Sequence, residues 1–502
     1  MFTDLFAGVA LLLDWTVWAA NIVGIIIGTI VGAMPGLGPV IAIAVLIPVT
    51  FVLPTVPALM LILGVYQAGI YGGSISAVLF NIPGVPAAAA TVFDGYPMTQ
   101  KGQGSRALKI ALYSSTFGNI FSCLVLLLVA APLAAIALRF GPPELAALLF
   151  LALTVISGVS GGSMLKGLLA GLLGLLLSTV GLDPIWGTFR FTMEIPELEN
   201  GLALVPVLIG LFAISELLIQ VGKPDPALLL KKSAPVEDEQ AEKKQENRVS
   251  FFEMWRIRGV MLYSAIIGLS FGILPGIGST TPAFMSYAFA KQKSKNPDKF
   301  GTGVDEGVAA PETANNAVTG GALIPMLSFG IPGDAVTAVI LGALMLQGIT
   351  PGPFVFRDNG VEVYSFLVGL IISTIPTLIV GRIFLRYAVK VLTLKRSLIF
   401  ATVLVMCVLG SFSVNNSVAD IAIMGVFGFL GYGLRLLNFP LPPLLIGFVI
   451  GRGFEEALRQ SLLVSQGSPL IFIQRPIAAV FVFLAVFVLV WTMRASLKKN
   501  KG

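Results

Sequence analysis

Histidine is absent from all 502 positions. That removes histidine metal sites, Ser-His triads and imidazole proton relays together. Cysteine occurs only at Cys123 and Cys407, each inside an apolar run. Two such residues make no disulfide framework, and they read as inert packing thiols. Charge is scarce as well: Asp, Glu, Lys and Arg are 12% of the chain, about half the share in a soluble domain. Apolar surface takes the place of charge, at 56% of residues with a mean hydropathy of +0.92. One soluble core cannot hide that much. Apolar windows of about 17 residues or more recur along the chain, each long enough to cross a bilayer as a helix. They do not alternate as barrel strands do, so the expected class is an all-α polytopic membrane protein in a lipid bilayer.

The first apolar run does not read as a cleaved signal, because MFTDLFAG carries Asp4 and no base. The formal charge of +6 sits mostly in loops and in the C-terminal KKNKG. It reads as membrane topology and not as nucleic-acid binding. The one long polar segment, Lys223 to Arg258, includes PVEDEQAEKKQENR and divides the chain near its midpoint. It reads as a cytoplasmic linker. The expected organisation is a first membrane repeat over 1–222, the linker over 223–258, a second repeat over 259–465, and a final helix with a basic cytoplasmic tail over 466–502.

The two halves repeat each other. Gly28, Gly32, Pro35, Gly36 and Gly38 recur 240 positions later as Gly268, Gly272, Pro275, Gly276 and Gly278. FNIPG (Phe80–Gly84) recurs 249 positions later as FGIPG (Phe329–Gly333). Matches in the same order at nearly one offset indicate an internal duplication. Loop charge gives its sense. After the first break the copies carry uncharged VLPTVP and KQKSKNPDK, net +3; after the IPG motif they carry PMTQKGQGSRALK, net +3, and TPGPFVFRDNGVEV, net −1. Cytoplasmic loops hold the Lys/Arg excess, so equivalent loops fall on opposite sides, as two inverted-topology repeats require. The N-terminus and the acidic stretch GLDPIWGTFRFTMEIPELEN are then extracytoplasmic, and the C-terminus cytoplasmic. Helices are expected at 17–34, 39–52, 57–81, 107–137, 144–160, 162–180, 201–221, 258–274, 279–290, 313–330, 335–348, 362–390, 397–411, 417–434, 441–465 and 475–494. Several are too short to span alone and read as half-helices or re-entrant hairpins, giving about 11 to 13 spans.

The chemistry is expected at the breaks. A Pro or Gly break frees backbone groups that hydrocarbon cannot satisfy, so it persists only beside protein or a polar cavity. Half-helix N-termini present unpaired N–H groups and partial positive charge, which suit an anion. Candidate substrate contacts are Pro35, Gly36, Leu37 and Gly38 at the first break, and Gly276, Gly278, Ser279 and Thr280 at the second. Gly84 and Gly333 of the IPG motifs join them, as do Asn315 and Asn316, adjacent amides entering an apolar helix. Asp305 and Glu306 read as helix-start caps, whereas Glu312 and Asp334 are open between a structural and a functional role. A coupling cation, Na+ or H+, has candidate ligands in Asn81, Asn316 and Asp334. GQGSRA (Gly102–Ala107) follows no strand, GGSMLKG lacks phosphate-loop spacing, and no Ser–base pair or HExxH occurs. The chain reads as a non-enzyme without a cofactor.

Four stretches carry a resemblance: GAMPGLGPVIAIAVLIPVTF, YGGSISAVLFNIPGVPAAAATVFDGYPM, SGGSMLKGLLAGLLGLLLSTVGLDPIWGTFRFT and AAPETANNAVTGGALIPMLSFGIPGDAVTAVILGAL. In this order they resemble the large membrane subunit of the tripartite tricarboxylate transporters, over nearly the whole chain outside the linker and tail. The resemblance implies a bacterial inner-membrane subunit working with a small four-helix membrane subunit and a periplasmic solute-binding protein. It implies import of citrate or other organic carboxylates by Na+ or H+ symport. It carries the breaks Pro35–Pro39 and Pro275–Gly278, Asn315, Asn316, Pro83-Gly84 and Pro332-Gly333 as motif positions. The alternatives are an ion channel, or a carboxylate transporter of another class that acts without a binding protein.

Overall fold

Nearly every apolar run forms a helix, as a chain must when hydrocarbon offers its backbone no partners. The computed structural model describes residues 2–159, 163–222, 247–388 and 396–499. The first half contains α1 (Phe2–Leu11), α2 (Trp15–Ala33), α3 (Gly38–Thr50), α4 (Thr55–Phe80), α5 (Ala89–Gln100), α6 (Gly104–Ala137), α7 (Pro142–Val159), α8 (Met164–Ser178) and α9 (Leu204–Val221). The second contains α10 (Phe251–Arg256), α11 (Arg258–Gly272), α12 (Thr280–Lys293), α13 (Asp305–Phe329), α14 (Ala335–Leu346), α15 (Val355–Asp358), α16 (Gly360–Phe384), α17 (Arg396–Asn415), α18 (Val418–Leu436), α19 (Leu441–Val464), α20 (Ile471–Gln474) and α21 (Pro476–Lys499). A two-residue hairpin, Gly181–Leu182 with Phe189–Arg190, sits between α8 and α9. Of the expected linker, residues 223–246 lie outside the described residues; the rest includes α10, whose N-terminus carries a Ser250–Glu253 capping box.

Among the described residues six helices are long and apolar enough to cross a bilayer: α2, α4, α6, α9, α16 and α18. Seven shorter apolar stretches of 10–17 residues accompany them. The chain is a multi-pass membrane protein. The four helices that follow a break are short: α3 has 13 residues, α5 has 12, α12 has 14 and α14 has 12. At 1.5 Å per residue none reaches across a hydrocarbon layer of about 30 Å.

The sequence duplication is also a duplication of local geometry. Gly36 and Gly38 adopt φ of +90° and +63°, and Gly276 and Gly278 adopt +82° and +64°. Only glycine takes these values freely, and they turn the chain out of α2 and α11. The helix packing repeats too. A Cβ on Gly28 would lie 2.6 Å from the Val65 carbonyl oxygen, and one on Gly32 would lie 2.2 Å from that of Gly69. The equivalents, Gly268 and Gly272, meet the carbonyls of Ala314 and Val318 at 2.1 and 3.0 Å. Without water to drive apolar burial, such close backbone approach holds the pairs by dispersion. The helix ends repeat as well. Asn81 and Gly330 both take left-handed φ, and each segment folds its next N–H back onto its helix, Ile82 to Ser76 O and Ile331 to Pro325 O.

The halves interleave. α6 of the first half packs on α13 of the second, with Gly118 against the Thr313 carbonyl and Gly320 against Ser122. α16 packs on α1 and α4, with Gly369 against the Met60 sulfur. Protein therefore encloses α13, which is buried along nearly its whole length despite Glu312, Asn315 and Asn316. Its start is a correction to the sequence reading: it begins at Asp305, not near 313. Asp305 and Glu306 occupy the first turn, where acids complement the helix dipole, and the Gly-Pro-acid text belongs to the helix itself. α1 and α5 are also helices that apolar periodicity did not indicate.

Candidate functional site

α2 cannot continue through Pro35, which has no N–H to donate, and Gly36 redirects the chain. α3 restarts at Gly38 with Pro39 in its first turn and no side-chain cap. α12 restarts at Thr280 behind Ser279, again without a side-chain cap hydrogen bond. First-turn N–H groups of a helix have no intrahelical partners. Both uncapped ends reach the same cavity, of about 470 Å³. Gly36 to Ile41 form one side of its wall and Ser279 contributes from the second break. Gly84, Val85 and Pro86 enter from the first IPG motif, Asp334 and Val336 from just after the second, and Asn315 from α13.

The expected residues divide cleanly. Gly36, Leu37, Gly38, Gly84, Ser279, Asn315 and Asp334 line the cavity. Pro35, Gly276, Gly278, Thr280, Gly333 and Asn316 are not on the wall. The N–H of Gly276 donates to the Gly333 carbonyl at 2.7 Å, so these two glycines join the second break to the second IPG motif.

The adjacent amides have opposite fates. Asn315 is 1% exposed, and neither its Oδ1 nor its Nδ2 has a hydrogen-bond partner. A buried unpaired amide on a cavity wall calls for a ligand or water. Asn316, about 100° further round the helix, points into a different network. Its Nδ2 donates to Ser115 Oγ at 2.8 Å and to the Glu312 carbonyl at 3.0 Å. The Glu312 carboxylate accepts from Ser74 Oγ at 2.5 Å, from Thr91 Oγ1 and from Ser115 Oγ at 3.1 Å. This cluster ties α4, α5 and α6 to α13.

The three candidate cation ligands lie in separate settings. Asn81 is exposed at the end of α4, and Asn316 belongs to the Glu312 network. Asp334 caps α14, its Oδ1 accepting from the Thr337 N–H and hydroxyl at 2.8 Å each. No hydrogen bond links the three. Among the described residues no group of three or more His, Cys, Asp or Glu side chains is placed to hold a metal ion.

Two charged wall residues were not among the sequence candidates. Glu216 of α9 and Arg435 of α18 form an ion pair on the wall, and Gln220 Nε2 donates to Glu216 Oε1 at 2.5 Å. An acid within an apolar span was the available signal. Arg435 ends an apolar helix, where a lone base reads as topology. α9 adopts π geometry over Ile209–Ile214, and the extra residue per turn resets the helix face just before Glu216. Gly36 packs against this group: a Cβ there would lie 1.9 Å from Gln220 Nε2 and 3.0 Å from Glu216 Oε1.

No solved structure matches this chain. An uncharacterized 52.8 kDa protein in the TAR-I ttuC' 3' region of Agrobacterium vitis is 35% identical over 99% of this chain and 98% of its own length. An uncharacterized protein in the TAR-II ttuC' 3' region of the same organism is 36% identical over 47% of this chain and 97% of its own length. Residues 19–446, which carry both breaks, both IPG motifs and every wall residue of the cavity, match the tripartite tricarboxylate transporter TctA family, and the chain belongs to that family of transporter subunits.

Proposed function

We propose that the chain is the translocating subunit of an ion-coupled secondary transporter that imports tricarboxylates or related organic carboxylates. Its substrate would arrive on a periplasmic binding protein, and a small four-helix membrane subunit would complete the assembly in a bacterial inner membrane. In this reading the repeats are inverted, the N-terminus is periplasmic, and the linker and C-terminus are cytoplasmic. One observation supports the reading most: two uncapped helix N-termini, one from each copy of the duplication, open on one cavity beside an unpaired amide, Asn315. N–H groups and helix dipoles aimed at one space offer a carboxylate its ligands without burying a full positive charge.

Na+ is the favoured coupling ion, because amides, hydroxyls and carbonyls are plentiful and histidine is absent. The test is carboxylate uptake into proteoliposomes holding the chain and its partners, under imposed Na+ or H+ gradients. Uptake driven by a sodium gradient and dependent on the binding protein is expected. Uptake that ignores sodium and follows pH would overturn the choice of ion. Unsaturable flux without a binding protein would overturn the transporter reading in favour of a channel.

A further inference from the structure

Among the described residues that line the cavity, Arg435 is the only cation. Its guanidinium carries five donors in a planar fork, enough for two carboxylates. Among the described residues its one ion-pair partner is Glu216, through Nη1 and Oε2. The side chains are 25% and 9% exposed, so the pair lies at the edge of the cavity rather than sealed in the fold. A carboxylate that enters this space meets a cation already occupied by an internal carboxylate.

Glu216 has somewhere to go. Its other oxygen accepts from Gln220, one turn along the same helix, so it keeps a donor if it leaves Arg435. Asp334, the other acid on the wall, is tied to its own helix by Thr337 and does not compete. The helix tips and Arg435 are thus two separate anion-attracting elements on one wall. The tips suit one carboxylate, and the guanidinium suits a second.

We propose that Arg435 binds a second carboxylate of the substrate, and that Glu216 is a built-in competitor that holds the guanidinium until that carboxylate displaces it. This deepens the proposed function and rests on it: the site distinguishes polycarboxylates from monocarboxylates through Arg435. The exchange is of one ion-pair partner for another, and no bond to hydrogen or carbon changes.

The experiment is equilibrium binding of citrate, succinate and acetate to the purified full-length chain in nanodiscs. The wild type is expected to bind citrate and succinate at least about tenfold more tightly than acetate, the scale of a lost charge-assisted hydrogen bond. Arg435→Gln should abolish the preference of the site for citrate and succinate over acetate. Glu216→Gln should tighten succinate several-fold, because the competitor is gone; a purely structural pair predicts weakening instead. Arg435→Gln alone leaves Glu216 unpaired and can impair folding, so the double variant E216Q/R435Q is the control. It should fold, and it should bind citrate and succinate no more tightly than acetate. Equal binding of all three ligands by the wild type, weaker succinate binding by Glu216→Gln, or retained selectivity in the double variant overturns the proposal alone. A wild type that binds none of the three overturns the carboxylate reading and this proposal with it.

Discussion

Gly36 and Gly38 lie two residues apart in the same break, both with positive φ, yet their surroundings differ. A Cβ at Gly36 would lie 1.9 Å from Gln220 Nε2, whereas at Gly38 the nearest atom is Val85 Cγ1 at 3.6 Å. Gly38→Ala therefore costs only left-handed backbone strain, about 1–2 kcal/mol. Gly36→Ala adds to its strain, about 1–3 kcal/mol, the displacement of Gln220. Losing the Gln220–Glu216 bond, whose acceptor is charged, costs about 1.5–3 kcal/mol more. Gln220 is the free end of a flexible side chain, so Gly36→Ala should still insert and fold. The expected result is a larger drop in melting temperature for Gly36→Ala than for Gly38→Ala, measured in detergent. Uptake in proteoliposomes should fall severely for Gly36→Ala and mildly for Gly38→Ala. Adding Gly36→Ala to Gln220→Ala should cost less than Gly36→Ala alone, because the obstructing amide is gone and only backbone strain and the 3.0 Å approach to Glu216 Oε1 remain. Equal stability and transport in the two single variants would refute the reasoning, since the contact with Gln220 would then carry no weight.

Asn315→Ala should leave the melting temperature unchanged or raise it, because it removes a buried amide without partners, and should abolish carboxylate uptake. Asn316→Ala should instead lower stability by about 1–3 kcal/mol, because Ser115 loses a donor and Asn119 an acceptor; the two melting curves decide. Gly28→Leu and Gly268→Leu should damage folding to similar degrees, by about 1–3 kcal/mol or more, because each drives a side chain into a backbone carbonyl at the same place in its repeat; yields of monodisperse protein from membranes check this. In the α8–α9 loop, the N–H groups of Trp186 and Ile185, together with Arg459, hold the Asp183 carboxyl below its ordinary range. Its stabilisation is complete above the unfolded value of about 4 and is lost as pH falls through the lower folded value. Asp183→Asn should therefore melt earlier than wild type at pH 7, and the gap should close in acid; a gap constant down to pH 3 contradicts the assignment.

The breaks were legible because they violate a strong rule. A run such as GTIVGAMPGLGPVIA must span as a helix by composition and cannot by its Pro and Gly content, and the structure breaks at those residues. The recurrence of local geometry was legible because glycine spacing is packing: Gly28 and Gly268 occupy matching motif positions and each meets a backbone carbonyl of a neighbouring helix. α13 was misplaced at its start because enclosure, not hydropathy, licenses its polar residues, and enclosure depends on α6 arriving from the other half. The adjacent amides could not be separated by composition. One turn angle sends Asn315 to the cavity and Asn316 to the Glu312 network. Glu216 stood out as an acid in an apolar span, but its pairing with Arg435 was not legible, because the two are 219 positions apart and a π segment resets the face of α9 that carries Glu216.

In the proposed site one carboxylate lies between the tips of α3 and α12. The most direct test is an experimental structure of the chain in nanodiscs with saturating citrate. Ligand density is expected within the cavity, with one carboxylate against the backbone N–H groups beyond Leu37 and beside Ser279, and within reach of the Asn315 amide. Bound citrate located away from both breaks, under conditions where binding is measured, would contradict it.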